Sequence, residues 1–274
     1  MRIVVKVGTS TLTYAAGRLN IRRVEALCRV LSDLKNAGNE IVLVSSGAIG
    51  MGIGKLGFKD RPQDMPTKQA AAAVGQCELM YVYDKLFAEY NHTAAQILLT
   101  AEDLRDEKRH RNFTNTILRL LELGALPVIN ENDTVSTEEI AFGDNDTLGA
   151  LSAVSVKADL LVILTDIDGL YTADPRKYPD AALVPEVREL TPEIVASAGG
   201  QGSALSSGGM VTKLSAARLC MDAGIDALIL NGTRPEILYD ALEGQSVGTR
   251  FVGHRDGAAR SSAVDEIAEI MFRR

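Results

Sequence analysis

The sequence of 274 residues is poor in aromatic side chains, histidine and cysteine. Aromatic residues make up 5% of the chain, whereas hydrophobic residues together make up 46%. A core must therefore be built mainly from Ala, Val, Leu and Ile, which is typical of parallel strands covered by helices. The length suits one large α/β domain or two lobes that share a sheet.

The three cysteines and three histidines lack the spacing of metal or redox sites. Cys28, Cys77 and Cys220 are far apart, and no Cys-x-x-Cys pair is present. Because each lies in an apolar helical pattern, we predict three buried thiols in a reducing cytoplasm. His92, His110 and His254 show no ligand spacing, so no protein metal ligand is predicted.

The sequence also lacks a long apolar run and an excess of basic residues. The chain enters a strand pattern at Ile3 without the apolar stretch of a signal peptide, so we expect no membrane association. With 29 basic and 36 acidic residues, the net charge is -7, which argues against general nucleic-acid binding. An anionic substrate must then be attracted by local lysines or helix N-termini.

Hydrophobic periodicity alternates between strand and helix along the chain. This pattern predicts an α/β fold, a three-layer αβα sandwich with a central, mostly parallel sheet, whose ligands bind at the carboxyl ends of the strands. No linker divides the chain, so we expect one domain over 1–274 with an N-terminal lobe (about 1–157) and a C-terminal lobe (about 158–274). Its tail could form a final helix over 263–272 or be partly disordered. The predicted strands are 3–7, 41–44, 95–99, 126–129, 159–164, 185–190 and 227–230, and the predicted helices are 20–38, 67–90, 113–123 and 213–223.

Lys6 stands in a strand pattern where another aliphatic residue is expected. A buried ammonium is unfavourable unless an anion pairs with it, although a lysine on an edge strand could instead reach solvent. Gly8-Thr9-Ser10 follows, and a glycine turn with hydroxyls can hold phosphate oxygens. We therefore predict that Lys6 points at a phosphate.

A second strand ends at Ser45-Ser46-Gly47 and runs into a glycine-rich segment. The P-loop pattern fails, because Lys55 is followed by Leu56, and so does the dinucleotide pattern Gly-x-Gly-x-x-Gly. We predict a substrate-binding turn in which Ser46 and backbone N–H groups hold a carboxylate. A flexible turn without chemical consequence is the alternative.

Short polar side chains cluster after other strands. Asp133, Asn145 and Asp146 could read an ammonium and align catalytic lysines, or each could satisfy its own backbone in an Asx turn. Thr165-Asp166 could lie at the nucleotide side of the sheet or form a plain turn. With the glycine-rich segment Ser207–Lys213, these residues suggest phosphoryl transfer onto a small zwitterion.

Seven segments together resemble the amino acid kinase family, and within it the branch that phosphorylates glutamate. The resemblance runs from residue 3 to about 250, and Arg250–Arg274 matches poorly. The segments are Val-Lys-Val-Gly-Thr-Ser, Ser-Ser-Gly-Ala-Ile, Pro-Val-Ile-Asn-Glu-Asn-Asp, Gly-Asp-Asn-Asp, Leu-Thr-Asp, Gly-Leu-Tyr-Thr-Ala-Asp-Pro-Arg and Ser-Gly-Gly-Met-Val-Thr-Lys, in family order.

The resemblance implies a role for each candidate residue. Ser46, Asp133 and Asn145 would bind glutamate in the N-terminal lobe. Lys6 and Lys213 would flank the transferring phosphoryl group, with Asp146 orienting them. ATP would be held in the C-terminal lobe by Lys6, Thr165, Asp166, Ser207, Gly208, Gly209, Met210, Val211, Thr212 and Lys213.

The resemblance also implies partners and regulation. ATP would bring Mg²⁺, proline would act as a feedback inhibitor, and the product would pass to glutamyl phosphate reductase. We expect a homodimer or homotetramer and, from the chain length after Thr249, no C-terminal PUA-type domain. The rival interpretations are a sister kinase acting on acetylglutamate, aspartate or UMP, and a catalytically inactive amino-acid sensor.

Overall fold

The computed structural model describes residues 1–14, 18–136, 145–197 and 209–255. Within these ranges the strands form one eight-stranded sheet in the order β3-β4-β2-β1-β5-β7-β8-β6. The strands are β1 Arg2–Val7, β2 Glu40–Ser45, β3 Ala94–Leu99, β4 Leu126–Glu131, β5 Leu160–Thr165, β6 Glu186–Val187, β7 Asp226–Asn231 and β8 Thr249–Phe251.

Helices connect the strands, as parallel pairing requires. Every pairing is parallel except that of β7 with β8. The helices are α1 Thr9–Leu12, α2 Ile21–Asn36, α3 Ala48–Leu56, α4 Met65–Ala88, α5 Ala101–Arg105, α6 Glu107–Glu122, α7 Asn145–Ser155, α8 Pro192–Ser197, α9 Met210–Asp222 and α10 Ile237–Leu242.

The core lies on both faces of the sheet, because successive strand residues point to opposite sides. Ile3, Val5 and Val7 of β1 pack in one hydrophobic cluster with α2 and α4, whereas Val4 packs in a second cluster with α6, α7 and α9. This confirms the predicted three-layer αβα sandwich. It also places Lys6, which shares the parity of Val4, on the side of α7 and α9.

The predicted strands and helices are found, with several corrections. α6 begins at Glu107 rather than Phe113, and the strand predicted over 185–190 is reduced to Glu186–Val187. The elements that the sequence pattern did not predict are α1, α3, α5, α7, α8, α10 and β8. The helix predicted over 263–272 lies outside the described residues.

The prediction of three buried cysteines was wrong for one of them. Cys28 and Cys220 are buried, but Cys77 is exposed. Gly75 and Gln76 of α4 face the core, and the next residue turns about 100° away around the helix. In the described part of the chain, no helix is both long and apolar enough to cross a membrane.

Candidate active site

A buried triad of charges forms where β1, α7 and α9 meet. Lys6 Nζ lies 2.6 Å from Asp146 Oδ1, and Lys213 Nζ lies 3.0 Å from Asp146 Oδ2. The side chain of Asp146 is 1% exposed, and those of the two lysines are 7% and 8% exposed. One carboxylate thus holds two ammonium groups that lie far apart in the sequence.

The close approach of α7 to β1 allows Asp146 on α7 to reach Lys6 on β1. A Cβ atom added at Gly149 of α7 would lie 3.3 Å from Lys6 Cβ, a tight contact. Glycine at this position lets the first turn of α7 sit over the Lys6 stem. Asp146, the second residue of α7, then reaches the lysine head.

The electrostatics of the triad favour an anionic ligand. Burial would raise the pKa of Asp146, but the charges and hydrogen bonds of Lys6 and Lys213 hold that pKa below its ordinary value. Asp146 therefore stays ionised, and one negative charge faces two positive ones. Counted over these three side chains, one positive charge is in excess, which is suited to phosphoryl oxygens.

The helix predicted from Lys213 begins three residues earlier, inside the glycine-rich segment. Met210 begins α9, with Gly209 before it as the N-cap residue. The Thr212 hydroxyl lies 2.8 Å from the Gly209 carbonyl oxygen and 3.2 Å from Asp146 Oδ2, so its one proton is shared between two acceptors. Ser207 and Gly208, also predicted to hold ATP, lie outside the described residues.

A second polar cluster surrounds Asn145, the residue before Asp146. Asn145 Nδ2 donates to the Ser45 carbonyl oxygen at 2.6 Å and to Asn130 Oδ1 at 2.8 Å. With both amide hydrogens engaged, the amide oxygen is the atom that Asn145 can offer to a ligand. Ser46 adjoins this cluster at the end of β2, where its backbone N–H donates to the Val7 carbonyl oxygen.

Asp133 follows β4 and is half-buried. Burial, reinforced by the negative charge of Glu131, raises the pKa of Asp133 to about 7, against the opposing effect of Arg61. A carboxyl group with this pKa gains from a cationic ligand, which would favour its ionised form. This behaviour suits the predicted ammonium site.

Thr165 and Asp166, two of the residues predicted to hold the nucleotide, lie at the end of β5, the strand next to β1. Thr165 ends β5, whose Leu164 pairs with Val7, so Thr165 and Asp166 lie next to Gly8. The Thr165 hydroxyl donates to Asp166 Oδ1 at 3.3 Å, and the Thr165 carbonyl oxygen accepts from Gly232 N at 2.8 Å. The structure therefore places Thr165 and Asp166 at the carboxyl end of β5, beside the end of β1 that carries Lys6.

Further residues, not predicted from the sequence, support the site from behind. Asn130 Oδ1 accepts from Asn145, and Asn130 Nδ2 donates to Gln76 Oε1 at 2.8 Å. The Tyr83 hydroxyl forms a hydrogen bond of 2.9 Å with the Ser45 hydroxyl. Their signal was polarity in apolar surroundings: Asn130 is the penultimate residue of a buried strand, and Gln76 lies on the buried stripe of α4.

Acidic and imidazole side chains do not converge on a metal site in the part of the chain that the structure describes. No group of three or more His, Cys, Asp or Glu residues that could hold a metal ion is found there. Both oxygens of Asp146 contact lysines. Both carboxylate oxygens of the triad are therefore already engaged by lysines and are not available to a metal ion.

Comparisons with known proteins give a family and a group of relatives. The profile of the amino acid kinase family matches residues 1–231. A glutamate 5-kinase of Clostridium perfringens (strain 13 / Type A) is 54% identical over 258 residues, which cover 93% of this chain and 96% of the relative.

Solved structures at low identity share the fold. UMP kinase from Bacillus anthracis aligns with a TM-score of 0.63 at 16% identity, covering 92% of this chain and 95% of its own. The isopentenyl phosphate kinase of T. acidophilum, solved as a product complex, aligns with a TM-score of 0.61 at 20% identity, covering 92% of this chain and 100% of its own. These likenesses concern the fold alone.

Proposed function

Because the chain belongs to the amino acid kinase family, we propose that it transfers the terminal phosphoryl group of ATP to the γ-carboxylate of L-glutamate. The product is L-glutamyl 5-phosphate, and the reaction is the first step of proline biosynthesis. The observation that carries this proposal is the buried triad Lys6–Asp146–Lys213. Its two ammonium groups and one carboxylate would offer a bound anion more positive than negative charge.

The triad acts by positioning and electrostatic stabilisation. The γ-carboxylate of glutamate attacks the terminal phosphorus in line, and ADP leaves. No general base is needed, because the attacking carboxylate is already ionised. Lys6 and Lys213 offset the charge on the transferring group and the leaving oxygen, and Asp146 keeps both lysines in place before the reaction.

Glutamate is proposed to lie between the triad and the cluster around Asn145. The Asn145 amide oxygen and the Asp133 carboxylate would bind its α-ammonium, and Ser46 with the adjacent backbone would bind its α-carboxylate. Thr165, Asp166 and the start of α9 at Gly209–Lys213 would hold ATP on the other side of the triad. Ser207 and Gly208 complete the proposed ATP segment.

A kinase of this family uses ATP with a divalent metal, which we propose is Mg²⁺. The contacts of Asp146 argue against a protein ligand at the triad, because both of its oxygens face ammonium groups. Phosphate oxygens and water are ligands that Mg²⁺ commonly accepts. We therefore assign the metal to the nucleotide rather than to a side chain.

Acceptor selectivity tests the proposed function. ADP release is measured with glutamate, N-acetylglutamate, aspartate and UMP as acceptors. Glutamate is expected to be preferred, because acetylation removes the ammonium and aspartate places its carboxylate too far from phosphorus. Equal efficiency with a different acceptor would assign the chain to a sister kinase, and no ADP release with any acceptor would favour an inactive sensor.

Asp133 should make glutamate affinity depend on pH. Its raised pKa, about 7, means that the empty site is partly protonated at neutral pH, and the ammonium binds the ionised form. The KM for glutamate is therefore expected to fall as pH rises from about 6 to 8. The Asp133→Asn variant should have a higher KM without this dependence, and a KM profile unchanged by the substitution would contradict the role.

Regulation and assembly remain part of the proposal. Proline shares the α-carboxylate and amino nitrogen of glutamate, so we propose that it competes for Ser46, Asp133 and Asn145. We further propose a cytoplasmic homodimer or homotetramer whose product is handed to glutamyl phosphate reductase. Proline titration at subsaturating glutamate and light scattering test the first two points: undiminished activity or a monomer mass would contradict them.

A further inference from the structure

Three side-chain amides form a relay from the core of α4 to the substrate cluster. Gln76 Oε1 accepts from Asn130 Nδ2 at 2.8 Å, and Asn130 Oδ1 accepts from Asn145 Nδ2 at 2.8 Å. We call Gln76, Asn130 and Asn145 the amide relay. Its last member is the residue proposed to bind the glutamate ammonium.

Two backbone groups fix the orientation of every amide in the relay. The backbone N–H of Glu131 donates to Asn130 Oδ1 at 2.9 Å, so this atom must be the oxygen. The Ser45 carbonyl oxygen accepts from Asn145 at 2.6 Å, so that atom must be the nitrogen. It follows that Asn130 Nδ2 faces Gln76, which must present its oxygen.

This orientation is unfavourable for Gln76 itself. Gln76 is 7% exposed, and its buried Nε2 atom has no hydrogen-bond partner among the residues that the structure describes. A buried donor without a partner is destabilising, and such groups call for an explanation. The explanation is that Asn130 Nδ2 needs an acceptor at this point. Rotating the Gln76 amide would leave two nitrogen atoms facing each other.

The backbone of α4 is held firmly at this point. A Cβ atom added at Gly75 would lie 1.7 Å from the Ala48 carbonyl oxygen, so α4 and α3 are in close contact beside Gln76. Leu79 and Tyr83, on the same face of α4, are fully buried. Gln76 therefore presents its oxygen from a fixed support.

We propose that Gln76 is a positioning residue, which rests on the proposed function. It acts through Asn130 to keep the Asn145 amide oxygen turned toward the substrate ammonium. Without Gln76, Asn130 keeps its backbone bond to Glu131 but loses the partner that fixes its tilt. Asn145 then keeps its hydrogen bond to the Ser45 carbonyl oxygen, but its second hydrogen bond, to Asn130, is no longer held in place, so acceptor binding weakens while ATP binding does not.

The test is Gln76→Met, which keeps the length of the side chain and removes its amide. KM for glutamate is expected to rise about tenfold, the scale of one buried hydrogen bond, with KM for ATP within about twofold of the parent value. Gln76→Glu, which again offers Asn130 an acceptor, is expected to restore most of the affinity. The matched control is Gln245→Met, an exposed glutamine in the turn before β8, with unchanged kinetics.

The outcomes separate this proposal from the proposed function. Equal increases in both KM values, failure of Gln76→Glu to rescue, or an unchanged glutamate KM would overturn the positioning role. If the parent protein uses another acceptor, the proposed function fails, and the same comparison is read on that acceptor. If it has no turnover, glutamate-dependent thermal stabilisation replaces KM, and equal stabilisation of parent and Gln76→Met overturns the role.

Discussion

Replacing Lys213 by alanine is expected to lower kcat by about 10²- to 10³-fold, the effect of removing one preorganised donor from a developing charge. Lys213 Nζ is held 3.0 Å from Asp146 and is almost fully buried, so no solvent molecule substitutes readily for its charge. Asp146 keeps Lys6 as a partner in this variant, so the fold should survive. Steady-state kinetics with both substrates measure the effect.

The control for this variant is Lys85→Ala, which removes an exposed lysine from α4. It should leave kcat and both KM values unchanged. A Lys213→Ala variant with a near-normal kcat and only a raised KM for glutamate would reject the role of Lys213 at the phosphoryl group.

Replacing Asp146 by asparagine is expected to give the largest loss of stability. The substitution keeps the shape but leaves Lys6 and Lys213 buried without their shared carboxylate. Removing one partner of a buried ion pair typically lowers the free energy of unfolding by about 3–5 kcal/mol. Denaturant unfolding measures this change, and inorganic phosphate should recover part of it by supplying an anion between the lysines.

The same prediction has a pH signature. Because the pKa of Asp146 is lowered in the folded protein, its stabilising contribution is present above the ordinary aspartate pKa of about 4 and is lost on further acidification. The difference in stability between parent and Asp146→Asn should shrink in acid. Asp180→Asn, at an exposed aspartate, is the control, and equal stability of parent and Asp146→Asn at pH 7 would contradict the triad.

Some parts of the site could be predicted from the sequence because their side chains do not fit the hydrophobic pattern around them. Lys6 interrupts an apolar strand, and that conflict together with the following Gly8-Thr9-Ser10 indicated an anionic partner. The resemblance to the family implied that Asp146 orients Lys6 and Lys213, and the structure shows the direct contacts, which packing of α7 on β1 makes possible. The roles in catalysis and binding stay predictions until they are tested.

The missed elements have physical explanations. α3 contains three interior glycines, which disfavour a helix by propensity, yet the contact with α4 at Gly75 requires small residues on both helices. An Asx turn was the alternative interpretation of Asn145 and Asp146, but these residues begin α7. Gln76 lies in an alanine-rich helix and could not be recognised from its neighbours in the sequence. Its proposed role depends on a contact with Asn130, which is 54 positions away in the chain.

Trapping of the product with hydroxylamine tests the central claim most directly. The protein is incubated with ATP, Mg²⁺, glutamate and hydroxylamine, and the hydroxamate is identified by mass spectrometry with a fragmentation that distinguishes the γ from the α position. The account predicts γ-glutamyl hydroxamate that requires both ATP and glutamate and is nearly absent with Lys213→Ala. Release of ADP without γ-glutamyl hydroxamate, or equal amounts from the parent and Lys213→Ala, would contradict it.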